Sequence, residues 1–171
     1  MPTEISGSTG VNKIQDNTIV NADINSSAAI AGTKLVMPTG SVLQVVHALN
    51  SSITSSTSST YVSTGITATI TPTSTSSKIL VMTKITVVGT TSTDINTKLF
   101  RGSGSITTKA STKYNNQASE PSDIVNIALD SPNTTSATTY ALYGQSSVNG
   151  QAITFKVGSS EGTITLMEIA G

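Results

Sequence analysis

The sequence predicts an all-β fold: an antiparallel β-sandwich or jelly roll preceded by a short extended stem. Three observations predict it. One third of the 171 residues are Ser or Thr, and the apolar residues are mostly Ile, Val, Leu and Ala. Stiff β-branched side chains favour a pleated surface. Strand-like runs also recur along most of the chain, separated by Gly, Pro, Asn, Asp and Ser clusters. Finally, no long stretch carries the helical spacing of apolar residues.

Residues 1 to 12 are small and polar, as in a flexible lead or a docking peptide. In residues 13–38, Ile14, Ile19 and Ile24 recur every five positions, and Ile30 and Leu35 continue the series after a one-residue slip. That spacing fits neither a helix nor plain strand alternation. Asn and Asp fall between the apolar positions, where turns form. The expectation is a stem of short extended pieces, each offering one aliphatic side chain to a shared axis. An irregular loop, or a helical turn over Ala28 to Lys34 capped by Ser26 or Ser27, are the alternatives. Pro38-Thr39-Gly40 marks the boundary, giving an attachment and stem segment 1–38 and a head 39–171.

In the head, strands are expected at Val42–Leu49, Thr60–Thr64, Ile66–Thr71, Lys78–Val88, Ile95–Arg101 and Ile106–Ala110. Four more are expected at Asp123–Leu129, Thr138–Gly144, Ile153–Val157 and Gly162–Glu168. The longest apolar run, Ile79 to Val88, is broken by Thr83, Lys84 and Thr86 and is too short for a membrane helix. No membrane insertion is expected.

Nine basic residues balance nine acidic ones and lie scattered, which argues against nucleic acid as a partner. The absence of Cys removes disulfides, thiolate metal sites and cysteine nucleophiles. The N-terminus lacks the basic and apolar regions of a signal peptide. With no Trp, two Phe and four Tyr, the core is thin for an isolated chain, so association with copies of itself is expected.

Few residues suggest chemistry. His47 is the only histidine, and no GxSxG elbow accompanies it. It is expected to be structural, or to cluster in three copies near an axis. Glu120, Asp123 and Asp130 match no calcium loop and read as solvated carboxylates. Nothing pairs two acids as a glycosidase requires. No cofactor, metal site or catalytic residue is expected.

Arg101-Gly102-Ser103-Gly104 reads as a tight hairpin. Lys113-Tyr114-Asn115-Asn116-Gln117 combines an aromatic face with amides, a chemistry suited to sugar hydroxyls, although its turn formers favour an inert loop. Arg101, Tyr114, Asn115, Asn116 and Gln117 are thus the candidate receptor-binding residues, whereas Tyr140 and Tyr143 read as packing residues in a strand.

The strings GSVLQVVHA near Gly40, STYVSTGITATITPTSTSSKILV, LFRGSGSI, ALDSPNTTSATTYALYG and GTITLMEIAG follow one another in the head. Their run resembles the C-terminal β-domain of phage tail-fibre and other virion proteins, especially in phages of marine bacteria and cyanobacteria. DNTIVNADINSSAAIAGTKL resembles the short shaft repeats that precede such domains. The resemblance implies a homotrimer with jelly-roll-like heads, akin to tumour-necrosis-factor-type trimers, on an intertwined threefold stem. It implies a non-enzymatic protein of the virion, assembled in the bacterial cytoplasm. Residues 1–38 would dock on tail or capsid proteins, and the head would bind a host glycan or protein. A capsid decoration, cement or head-fibre protein is the alternative, and a depolymerase is a third class. The glycosylation-type triplets at Asn25, Asn50 and Asn133 would then go unmodified.

Overall fold

The computed structural model describes Ser27 and residues 35–90, 93–107, 111–115, 120–155 and 160–171. The chain divides into two compact units, Met1–Val36 and Met37–Gly171. The second is built of antiparallel strands, with no helix among the described residues.

Strand β1 (Val42–Asn50) pairs with the last strand, β11 (Gly162–Ile169), which pairs in turn with β4 (Lys78–Gly89). The other edge of β4 takes β8 (Ser122–Asp130). Beside the end of β4 lie two short strands, β10 (Ile153–Phe155) and then β2 (Thr54–Ser56). The second sheet runs β3 (Val62–Ile70), β9 (Thr138–Ser146), β5 (Thr93–Arg101), with β6 (Gly104–Ser105) and β7 (Ser111–Asn115) on the free edge of β5. Setting aside the short strands β2, β6 and β10, the long strands form sheets ordered β1-β11-β4-β8 and β3-β9-β5-β7, and the chain crosses from one sheet to the other at every step except β5 to β7. This is the connectivity of a jelly roll, in which two Greek keys share one core.

Alternation along the strands makes that core. Ile79, Val81, Ile85, Ile164 and Leu166 point inward from the first sheet, and Ile66, Ile70, Leu99, Tyr140 and Leu142 meet them from the second. Phe155 fills the space over Gly144, where a Cβ would overlap its ring.

Two polar links fasten the layers, and a third ties β11 to β1 and to the loop after β3. Asn126 on β8 donates to Thr97 on β5 at 3.0 Å, both buried. Asp130 at the end of β8 receives Arg101 of β5 and the Tyr140 hydroxyl of β9, each at 2.7 Å. Burial, and then the hydrogen bond to Asp130, push the Tyr140 phenol far above its ordinary range, so it remains a donor. Glu168, fully buried on β11, accepts the Thr73 amide (2.6 Å), the Thr73 hydroxyl (2.7 Å) and the Gln44 amide (2.6 Å).

Several boundaries depart from expectation. Thr60–Thr64 and Ile66–Thr71 are one strand: the register slips between Ser63 and Thr67, and Gly65 takes φ +82°, so a bulge replaces the expected break. No strand covers Ile106 and Thr107; the hairpin partner of β5 is only Gly104–Ser105, and residues 108–110 lie outside the described residues. The turn itself is as expected, with Arg101 opposite Gly104 and Gly102 at φ +55°. Residues 111–115, read as part of a loop, form β7 because edge pairing with β5 satisfies their backbone.

Candidate functional site

The sandwich has two outer faces of opposite chemistry. On the β3-β9-β5-β7 sheet the outward positions are mostly Thr, Ser, Asn and Gln, interrupted by a ledge of rings. Tyr61, just before β3, lies 6.0 Å from Phe100 between ring centroids, and Phe100 lies 4.5 Å from Tyr143. Lys98 holds its ammonium 5.3 Å from the centre of the Tyr61 ring. Strand register assembles this group: Lys98 stands opposite Tyr143, and Phe100 opposite Ala141. The rings are half-buried, and burial pushes the Tyr61 phenol up.

Amides and hydroxyls continue the surface. Asn96 stands opposite both Gln145 and Thr112, whose hydroxyl lies 2.6 Å from the Asn96 side-chain oxygen. Tyr114, on edge strand β7, is exposed. Ring faces with flanking amides, hydroxyls and one cation provide stacking and hydrogen bonding together.

The outer face of the β1-β11-β4-β8 sheet is aliphatic. One row across it reads Leu129, Leu80, Met167, Val45, and the next reads Ile127, Met82, Thr165, His47. His47 is exposed, with Nδ1 2.9 Å from the Thr165 hydroxyl. Lys84 pairs with Asp123 at 3.0 Å, and Thr86 donates to the same carboxylate. These bonds, Thr86 first, hold Asp123 below the usual carboxylate range.

The candidate residues named from sequence scatter. Arg101 donates to Asp130 and to the Ser131 carbonyl at 3.2 Å, so its head group is engaged in the sandwich. Tyr114 and Asn115 lie on β7, while Asn116 and Gln117 lie outside the described residues. Of the stem residues, Leu35 is half-exposed, and Ile14, Ile19, Ile24 and Ile30 lie outside the described residues. Asp123 and Asp130 stand at opposite ends of β8, away from a common site, and no metal-holding cluster occurs among the described residues.

Tyr61, Lys98 and Phe100 were not among the candidates named from sequence, and Tyr143 was read only as a packing residue. The alternation of Lys98 and Phe100 with buried Leu99 is their only local signal. Their gathering depends on the β3-β9-β5 register.

No family model matches the chain, and no curated protein matches it.

Proposed function

We propose that this chain is a structural protein of the bacteriophage particle, a trimeric short tail-fibre-type protein whose head binds a host-surface saccharide. The observation that carries the recognition role is the ring ledge of Tyr61, Phe100 and Tyr143 with Lys98, on the polar outer face of a jelly roll. The virion setting is supported by the five strings of the head and the five-residue Ile spacing ahead of it. A single sugar contact on such a ledge is weak, and three heads on one stem raise it by effective concentration. Residues 1–38 serve as the anchor to the particle.

The test has two arms. Gold-labelled antibody against the chain should mark the tail of intact particles. Purified protein should compete with phage for adsorption to host cells, and Tyr143→Ala should lose most of that competition while keeping its melting temperature within a few degrees. Labelling of the capsid shell, with no competition by the native protein, would replace this reading with a decoration or head-fibre protein.

A further inference from the structure

We propose that the saccharide held on the ledge of Tyr61, Phe100 and Tyr143 is anionic, and that its carboxylate or sulfate ester meets the ammonium of Lys98. The inference rests on the saccharide reading above and adds the chemical class of the sugar.

Lys98 is the charged member of the ledge, and no carboxylate among the described residues pairs with it. The ion pairs there join Lys84 to Asp123 and Arg101 to Asp130. The Lys98 ammonium lies 5.3 Å from the centre of the Tyr61 ring. A ring face attracts a cation but does not cancel its charge. The carboxylates of the head are placed elsewhere. Asp123 and Asp130 sit on β8, engaged by Lys84 and Arg101, and Glu168 is buried on β11. Glu120 and Glu161 precede β8 and β11, strands of the other sheet. Asp94 shares β5 with Lys98 but stands four residues back, with its Oδ1 buried. At a rise of about 3.4 Å per residue that is about 14 Å. Physiological salt screens exposed charges beyond roughly 8 Å. The ledge is therefore locally positive.

The groups beside Lys98 add donors to that charge. Asn96 lies two residues along the same face of β5, opposite Gln145. The Thr112 hydroxyl occupies the Asn96 side-chain oxygen at 2.6 Å, which leaves the Asn96 NH2 to donate outward. A pyranose can stack its C–H face on the rings and offer hydroxyls to the amides, but a neutral one leaves Lys98 uncompensated. A carboxylate or sulfate accepts a charge-assisted hydrogen bond, roughly twice as strong as a neutral one. A cationic amino sugar is repelled.

Calorimetry on the full chain should compare matched oligosaccharides: glucan with glucuronan, mannan with mannuronan, and galactan with both galacturonan and sulfated galactan. In at least one set the anionic member should bind about tenfold more tightly, and the preference should shrink in high salt. Lys98→Arg should keep the preference. Lys98→Gln should lower it to less than about threefold, and so should Lys98→Met, which keeps an apolar stem over Tyr61 if the Gln variant fails to fold. A preference confined to the sulfated galactan would support the proposal and identify sulfate as the group. Neutral and anionic members bound equally, with both lost in Tyr143→Ala, would overturn the proposal and leave the saccharide reading standing. A preference that survives removal of the Lys98 charge would overturn the assignment to Lys98. Binding of the native chain to none of them would remove the saccharide reading and this inference with it.

Discussion

Glu168 occupies an inward position on β11, two residues beyond Leu166 and four beyond Ile164, where alternation calls for an aliphatic side chain. Burial alone would raise its pKa. The hydrogen bonds from Gln44 and Thr73 more than offset that and hold the carboxyl below its ordinary value. A folded-state pKa below the unfolded one gives stability that is present above the unfolded value, near pH 4.3, and lost as pH falls through the folded value. Glu168→Gln keeps the shape, removes the charge and sets an NH2 against a donor. It should cost about 1–3 kcal/mol at neutral pH. The gap from the native protein should narrow as pH drops below about 4. Urea unfolding at a series of pH values measures it. Asp123 adds its own acid dependence, equally in both proteins, so the difference isolates Glu168. A gap that stays constant to pH 3 would mean that packing, not charge, holds the loop at Thr73 against β11.

At the scale of elements, alternation made most strands legible. Lys78–Gly89, Ser122–Asp130, Thr138–Ser146 and Gly162–Ile169 carry alternating aliphatic or aromatic residues over part of their length, broken at Thr83, Asn126, Gly144 and Glu168, and lie within two residues of their expected bounds. Thr54–Ser56 and Ser111–Asn115 were not legible because hydroxyl-rich strands look like the loops around them; pairing to neighbours, not burial of apolar side chains, makes them strands. The ring ledge was illegible for a related reason: Tyr61, Phe100 and Tyr143 come from distant parts of the chain, and only register unites them. Close packing between elements was equally hidden. Gly144 on β9 leaves the space that the Phe155 ring fills. Gly144→Val should overpack the site at a cost of about 1–3 kcal/mol, and Phe155→Ala should empty it at a cost of about 3–5 kcal/mol. The double variant should lose less than the sum, because valine occupies part of the space the ring vacates. Thermal unfolding of the four proteins gives the coupling, and strict additivity would show that the two positions do not share one space.

For the whole molecule, the first and last strands of the head are neighbours. Gly40 donates its amide to Ala170 and Ala170 donates to Ser41, both at 2.8 Å, and β1 lies along β11. Among the described residues the buried apolar core runs from Ile66 to Leu166, within the compact unit Met37–Gly171. A chain beginning at Met37 should therefore fold, with a β-type circular dichroism spectrum and one cooperative melt. Its association tests separately what the head and the expected stem contribute to the proposed trimer. The aliphatic face of the β1-β11-β4-β8 sheet is retained, whereas the layers expected from Ile14, Ile19 and Ile24 are lost. Burying one Ile is worth roughly 1.5–3 kcal/mol, and a threefold layer multiplies that. The shortened chain should thus form trimers at high micromolar concentration, yet dissociate at dilutions where the full chain stays assembled. Analytical ultracentrifugation across a dilution series reads both limits. A shortened chain that is monomeric throughout would assign association to residues 1–36, and one whose dissociation matches that of the full chain would show that the Ile spacing builds no shared axis.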